Sequence, residues 1–147
     1  MSLDATAEQQ AIITRLSTLC GGRVGTDEAE ETLRVLDETT GLLKPFMVVT
    51  FGAVFVTGRD RSIEGEDQQP HTMPIIVECY ASNRNAAGAT AGAVRTRLTG
   101  FEPTDNSSEI GLGGGSWFVQ RDSAGRPTLF AETVTGTTEI NLSVLIP

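Results

Sequence analysis

The sequence is poor in the side chains that most enzyme chemistry uses. Its 147 residues include one histidine, one lysine, one tryptophan, one tyrosine and two cysteines. A structural zinc site needs about four clustered ligands and a catalytic one about three with a water. One histidine, His71, and two distant cysteines, Cys20 and Cys79, do not supply such a cluster. Both cysteines fall on predicted apolar faces, which makes them buried thiols and poor nucleophiles. A disulfide between them requires the first helix to cross the strand bearing Cys79 closely. His71 reads as a surface loop residue. No Gly-x-Ser-x-Gly elbow occurs, and no carboxylate pair stands out from the general acidity. The sequence therefore points away from an enzyme and implies no cofactor.

Positive charge is also scarce. The formal net charge is −8, whereas nucleic-acid binders present basic stripes to phosphate and membrane-surface binders present them to anionic lipid. Sequence-specific nucleic-acid binding and membrane attachment are disfavoured alike. No apolar run reaches the length of a membrane span. The first residues lack the basic and apolar regions of a signal peptide, so folding in a cytoplasm is expected.

What is present is a legible chain of elements in one domain of 147 residues,. Residues 4–20 carry an apolar stripe of Ile12, Leu16 and Leu19, with Asp4 as cap and Gly21-Gly22 as stop, and read as a helix. Residues 23–40 are ambiguous. Asp27, Glu28, Glu30 and Glu31 form an acidic run that lacks the Asp/Asn ladder and central glycine of a calcium loop. A short strand is expected at 32–36, and a turn at 37–41. The 46–51 segment is apolar on both faces, as for a strand central in a sheet or covered by another subunit. Gly52 marks a bulge or bend.

Residues 57–74 read as a long charged loop, with Arg59, Asp60 and Arg61 before Glu64, Glu66 and Asp67. A loop this long is uncommon unless functional or disordered, and contact with another copy or a partner competes with a floppy insertion. Next come a strand at 75–81, an Asn-rich turn and a helix at 86–98. In the strand, Ile75, Val77, Cys79 and Ala81 share one face and Ile76, Glu78 and Tyr80 the other. In the helix, Ala87, Ala91, Val94 and Leu98 share a face. Asn83 or Asn85 caps it and Gly100 ends it. Gly88 and Gly92 suggest close approach of that helix to its neighbour. Residues 104–116 form a Gly/Ser-rich loop without the Gly-Lys-Ser/Thr of a phosphate loop. A hairpin of 117–122 with 128–134, a break at Gly136 and a last strand at 137–146 complete the chain.

This order of elements resembles the tail terminator (tail completion) proteins of long-tailed siphophages, also known as minor tail proteins. The similar features are the amphipathic first helix, the Pro45-Phe46-Met47-Val48-Val49 strand, the long charged arm and the strand running to Ala81. The likeness continues in the Ala/Gly helix entering Leu98-Thr99-Gly100-Phe101 and in the closing strands. The acidic insertion at 27–40 departs from the compact pattern. The resemblance implies an α+β fold, with a mixed, mainly antiparallel sheet and two main helices on one face. It implies a homo-oligomer, a hexameric ring in the virion at the head–tail junction. That ring would end tail-tube polymerisation, meet the major tail tube protein and dock to the head–tail connector or head-completion protein. DNA would pass through it. The residues expected to serve such interfaces are Arg59, Asp60, Arg61, Glu64, Glu66 and Asp67 of the arm, with Phe51, Ile76 and Tyr80 of the sheet. Another head–tail completion or tube protein, or a small-ligand-binding α+β domain, are the alternatives.

Overall fold

The computed structural model describes residues 5–26, 33–56, 68–105, 107–114, 117–120 and 129–143. Two long strands form its centre. β4 (Gln68–Ala81) and β7 (Leu129–Ser143) pair antiparallel over fourteen positions, from Gln68 opposite Ser143 to Ala81 opposite Phe130. β2 (Phe46–Phe51) and β3 (Phe55–Val56) both pair antiparallel with the other edge of β4, and β1 (Val24–Thr26) adds in parallel outside β2. β5 (Gly111–Leu112) and β6 (Trp117–Gln120) share the far edge of β7. The sheet is thus mixed, antiparallel except at β1, and the fold is α+β as expected.

Helices α1 (Thr6–Leu16) and α2 (Arg84–Leu98) cover one face of this sheet. Strand alternation supplies the matching apolar surface: Met47 and Val49 from β2, Met73, Ile75, Val77 and Cys79 from β4, and Val134 and Ile140 from β7,. Ile12 and Leu16 of α1 join Ala91, Val94 and Leu98 of α2 over it, and all five are buried. Asn83 caps α2, accepting the Ala86 N–H on its side-chain oxygen at 2.8 Å. Gly100, at φ 74°, turns the chain after it.

The opposite face carries neither α1 nor α2, and Leu33, which packs on it, is helical. Half of it is covered by the 33–44 segment, whose Leu33 and Leu43 close over Phe46, Val48, Tyr80, Leu129 and Ala131. The Phe46 and Tyr80 rings stack at 4.9 Å on neighbouring strands. The Asp37 carboxylate shapes the turn of this segment by accepting the N–H groups of Thr39 and Thr40 at 2.8 and 3.0 Å. Those two bonds hold its carboxyl below the ordinary carboxylate value.

Several expectations are corrected by this arrangement. The first helix ends at Leu16, and a tighter turn at Leu19–Gly22 follows. Cys20 therefore sits at φ 53° rather than on a helical face, and is half-buried. The expected cap Asp4 lies outside the described residues; Ala5 stands at the cap position. Of the strand expected at 32–36, residue 32 lies outside the described residues, Leu33 is helical, and Leu36 alone makes a bridge, to Leu43. The strand that does form nearby, β1, has only three residues and too little pattern to read. The long loop is shorter than expected, because β4 begins at Gln68. Pro70 and Pro74 lie within that strand and disguise it as a loop. His71 is consequently a strand residue, 1% exposed, rather than a surface loop residue.

Gly136 does not break the last strands. It lies within β7 opposite Ile75 and Leu112, and a Cβ there would come within 3.0 Å of the Gly111 carbonyl. The 104–116 loop is likewise partly fixed: Ser107 bridges Ile140, and β5 pairs with β7. A Cβ on Gly88 would meet only the Glu132 carboxylate, at 3.7 Å, and a Cβ on Gly92 would meet nothing within 4 Å. The close approach expected at Gly92 is therefore absent.

Candidate functional site

Of the expected interface residues, the six charged ones on the arm (Arg59, Asp60, Arg61, Glu64, Glu66 and Asp67) lie outside the described residues. The structure places the other three in different settings. Phe51 pairs with Ile75 and packs against the main core on the helix side. Tyr80 is on the face opposite α1 and α2 as expected, but it is covered by its own chain and is 6% exposed. Its hydroxyl donates to Glu78 on the same strand. Its apolar ring therefore needs no second subunit to bury it. Ile76 remains partly exposed, and lines a surface depression of about 480 Å³ with Pro74, Leu112 and Thr135.

The largest exposed apolar side chains are absent from the residues that the sequence singles out. Val35, Leu36 and Leu42 are 40%, 50% and 53% exposed, and Phe55 is 50% exposed. The first three sit on the hairpin-like 35–44 segment. Its backbone is tied by Asp37 N–H to the Leu42 carbonyl at 2.7 Å and Lys44 N–H to the Val35 carbonyl at 2.8 Å. Leu43 points into the second core while Leu42 points out, as alternation along an extended chain requires. Phe55 pairs with Thr72, which puts it on the face opposite α1 and α2, towards the other end of β4 from Tyr80. The available signal is the apolar set Leu33, Val35, Leu36, Leu42 and Leu43, which the acidic run beside it obscures.

A second surface lies on the helix side. Ala7, Gln10, Ala11, Thr14, Arg15 and Thr18 of the α1 region, with Arg97 and Phe101, line an open groove of about 710 Å³. Its floor is held by a reciprocal clasp. Arg15 donates from Nε to the Arg97 carbonyl at 3.0 Å, and Arg97 donates from Nη1 to the Arg15 carbonyl at 3.0 Å and to the Thr18 hydroxyl at 2.9 Å. Both carbonyls belong to last helical turns, where they lack intrahelical donors and favour positive charge. The Arg15 guanidinium also lies 4.9 Å from the Phe101 ring centre.

The thiols are placed for inertness. Burial pushes Cys79 up to about 12, with smaller contributions from nearby Cys20 and Glu132. Burial also raises Cys20, partly offset by a hydrogen bond with the Thr90 side chain and by the charge of Arg23. Both cysteines are free. Glu8, nearly buried, is met by the Thr104 hydroxyl at 2.7 Å. Among the described residues no three His, Cys, Asp or Glu side chains gather as a metal site, and no helix is long and apolar enough to cross a membrane. No protein-family model matches the chain, and no curated protein sequence matches it.

Proposed function

We propose that this chain is a structural virion protein, a tail terminator of the siphophage type. In this reading it assembles into a ring, six-fold by the resemblance, that ends tail-tube polymerisation and docks the tail to the head connector. Its partners are other copies of itself, the major tail tube protein and a connector or head-completion protein. Its role is assembly rather than catalysis.

The observation that carries the reading is the exposed apolar group Val35, Leu36 and Leu42 on one short segment of an acidic chain. Large apolar side chains clustered at a surface mark interaction sites.

The test is negative-stain microscopy of the purified protein, alone and with the tube protein of the same phage. Discrete rings, and tubes capped at one end when both proteins are present, are the expected result. Long tubes formed by this chain alone would assign it to the tube instead. A monomer that leaves tube growth unchanged would overturn the assembly reading.

A further inference from the structure

The helix-side groove carries positive charge that no described carboxylate neutralises. Among the described residues the ion pair is Arg95 with Glu132, at 3.1 Å; the polar contacts of Arg15 and Arg97 are to carbonyl and hydroxyl oxygens. A guanidinium has five N–H donors, and the clasp engages only Nε of Arg15 and Nη1 of Arg97. Two cations over an apolar floor of Ala11 and Phe101, on a chain of net charge −8, call for an occupant that is acidic and apolar together.

A described segment sets exposed apolar side chains beside two carboxylates, with Lys44 at its end. The 35–44 segment presents Val35, Leu36 and Leu42 to solvent around a turn bearing Asp37 and Glu38. The Asp37 carboxylate is committed to the turn, which leaves the exposed Glu38 as the acidic group available to a partner. Within one copy the two surfaces cannot meet, because the groove lies on the helix side of the sheet and the segment lies on the other. We infer that the Arg15/Arg97 groove of one copy receives the 35–44 turn of a second copy, with Leu36 or Leu42 on the apolar floor and Glu38 against the guanidinium groups. Such a contact joins unlike surfaces, and a head-to-tail contact closes into a ring or runs on as a filament. The inference rests on the assembly reading above and names its contact.

Charge exchange in the full chain, followed by sedimentation, tests it. Arg97→Glu alone and Glu38→Arg alone should each weaken self-association by about tenfold or more, as expected when a charge meets a like charge in an interface. An equimolar mixture of the two variants should regain part of it, because the groove left intact in Glu38→Arg accepts the turn left intact in Arg97→Glu, and the reversed groove accepts the reversed turn. That regain is a gain of assembly, so partial loss of the clasp in Arg97→Glu does not imitate it; melting curves check that both variants fold. Wild-type rings that persist in either variant, or a mixture that stays dissociated, would overturn the contact and leave the assembly reading standing. Loss of binding to a single-stranded oligothymidine in Arg97→Glu, with self-association intact, would overturn the contact and assign the groove to a polyanion instead. A wild-type chain that stays monomeric at all concentrations, with or without tube protein, would overturn both.

Discussion

Glycine substitutions separate two positions that look alike in sequence. At Gly52 a Cβ would come within 2.9 Å of the Pro74 ring carbons, and the Gly52 N–H donates to the Pro74 carbonyl at 2.9 Å. The bend that joins β2 to β3 therefore depends on this close approach, and Gly52→Ala should lose about 1–3 kcal/mol through overpacking. Gly92 lies within α2 with open space around it, so Gly92→Ala should gain up to about 1 kcal/mol from helix propensity. Urea unfolding of the two variants checks both, and a loss in Gly92→Ala would argue for a packing role that the geometry does not give it. Cys79 makes a separate prediction in pH. Its thiol, ordinarily near 9.0, is pushed up to about 12 by burial. The folded chain thus keeps a proton that the unfolded chain releases, and stability falls as pH rises from about 9 towards 12, by at most about 1.4 kcal/mol per pH unit for this thiol. Cys79→Ala should be less stable near neutrality but flatter across that window. An unchanged slope in urea titrations would assign the alkaline loss to other groups.

At the scale of elements, the start of α2 rests on one side chain. Asn83 supplies the N-terminal cap of α2, and Asn83→Ala should cost about 0.5–2 kcal/mol. Thermal unfolding measures it, and a neutral result would mean that water replaces the cap at no cost. The helix also shows what makes an element legible in sequence. Its cap, its buried stripe of Ala87, Ala91, Val94 and Leu98 and its Gly100 stop are readable because each signal is local. β2 is readable to its end residues because an unbroken apolar run permits little else. β4 is legible only in its second half: Pro70 and Pro74 argue against a strand locally, yet pairing with β7 along its full length prevails. His71 reads as a loop residue for the same reason, and β7 reads as two strands because Gly136 resembles a break where tertiary contact requires it. Tyr80 is assigned to the correct face by alternation, but its cover comes from Leu43, 37 positions earlier, beyond the reach of any local pattern.

On the scale of the whole molecule, the sheet divides the described chain into one side finished by helices and one side half finished by a short segment. That asymmetry lets residues next to each other have opposite roles. Leu43 is 5% exposed and seals the second core, so Leu43→Ala should cost about 2–5 kcal/mol, as for a buried leucine truncated to leave a cavity. Leu42, its neighbour, is turned outward with Leu36 and contributes little to that core. The double variant L36E/L42E should therefore shift stability by no more than about 1 kcal/mol, in the range of surface substitutions. In solution it should nonetheless lose self-association, because two carboxylates then occupy the surface that assembly would dehydrate. Sedimentation and thermal melting on the same samples distinguish the two roles. A double variant that melts like wild type and still forms rings would remove the 35–44 segment from the interface. One that fails to fold would show instead that Leu36 and Leu42 support the second core despite their exposure, and would move the assembly surface to Phe55 and Ile76 on the open half of the sheet.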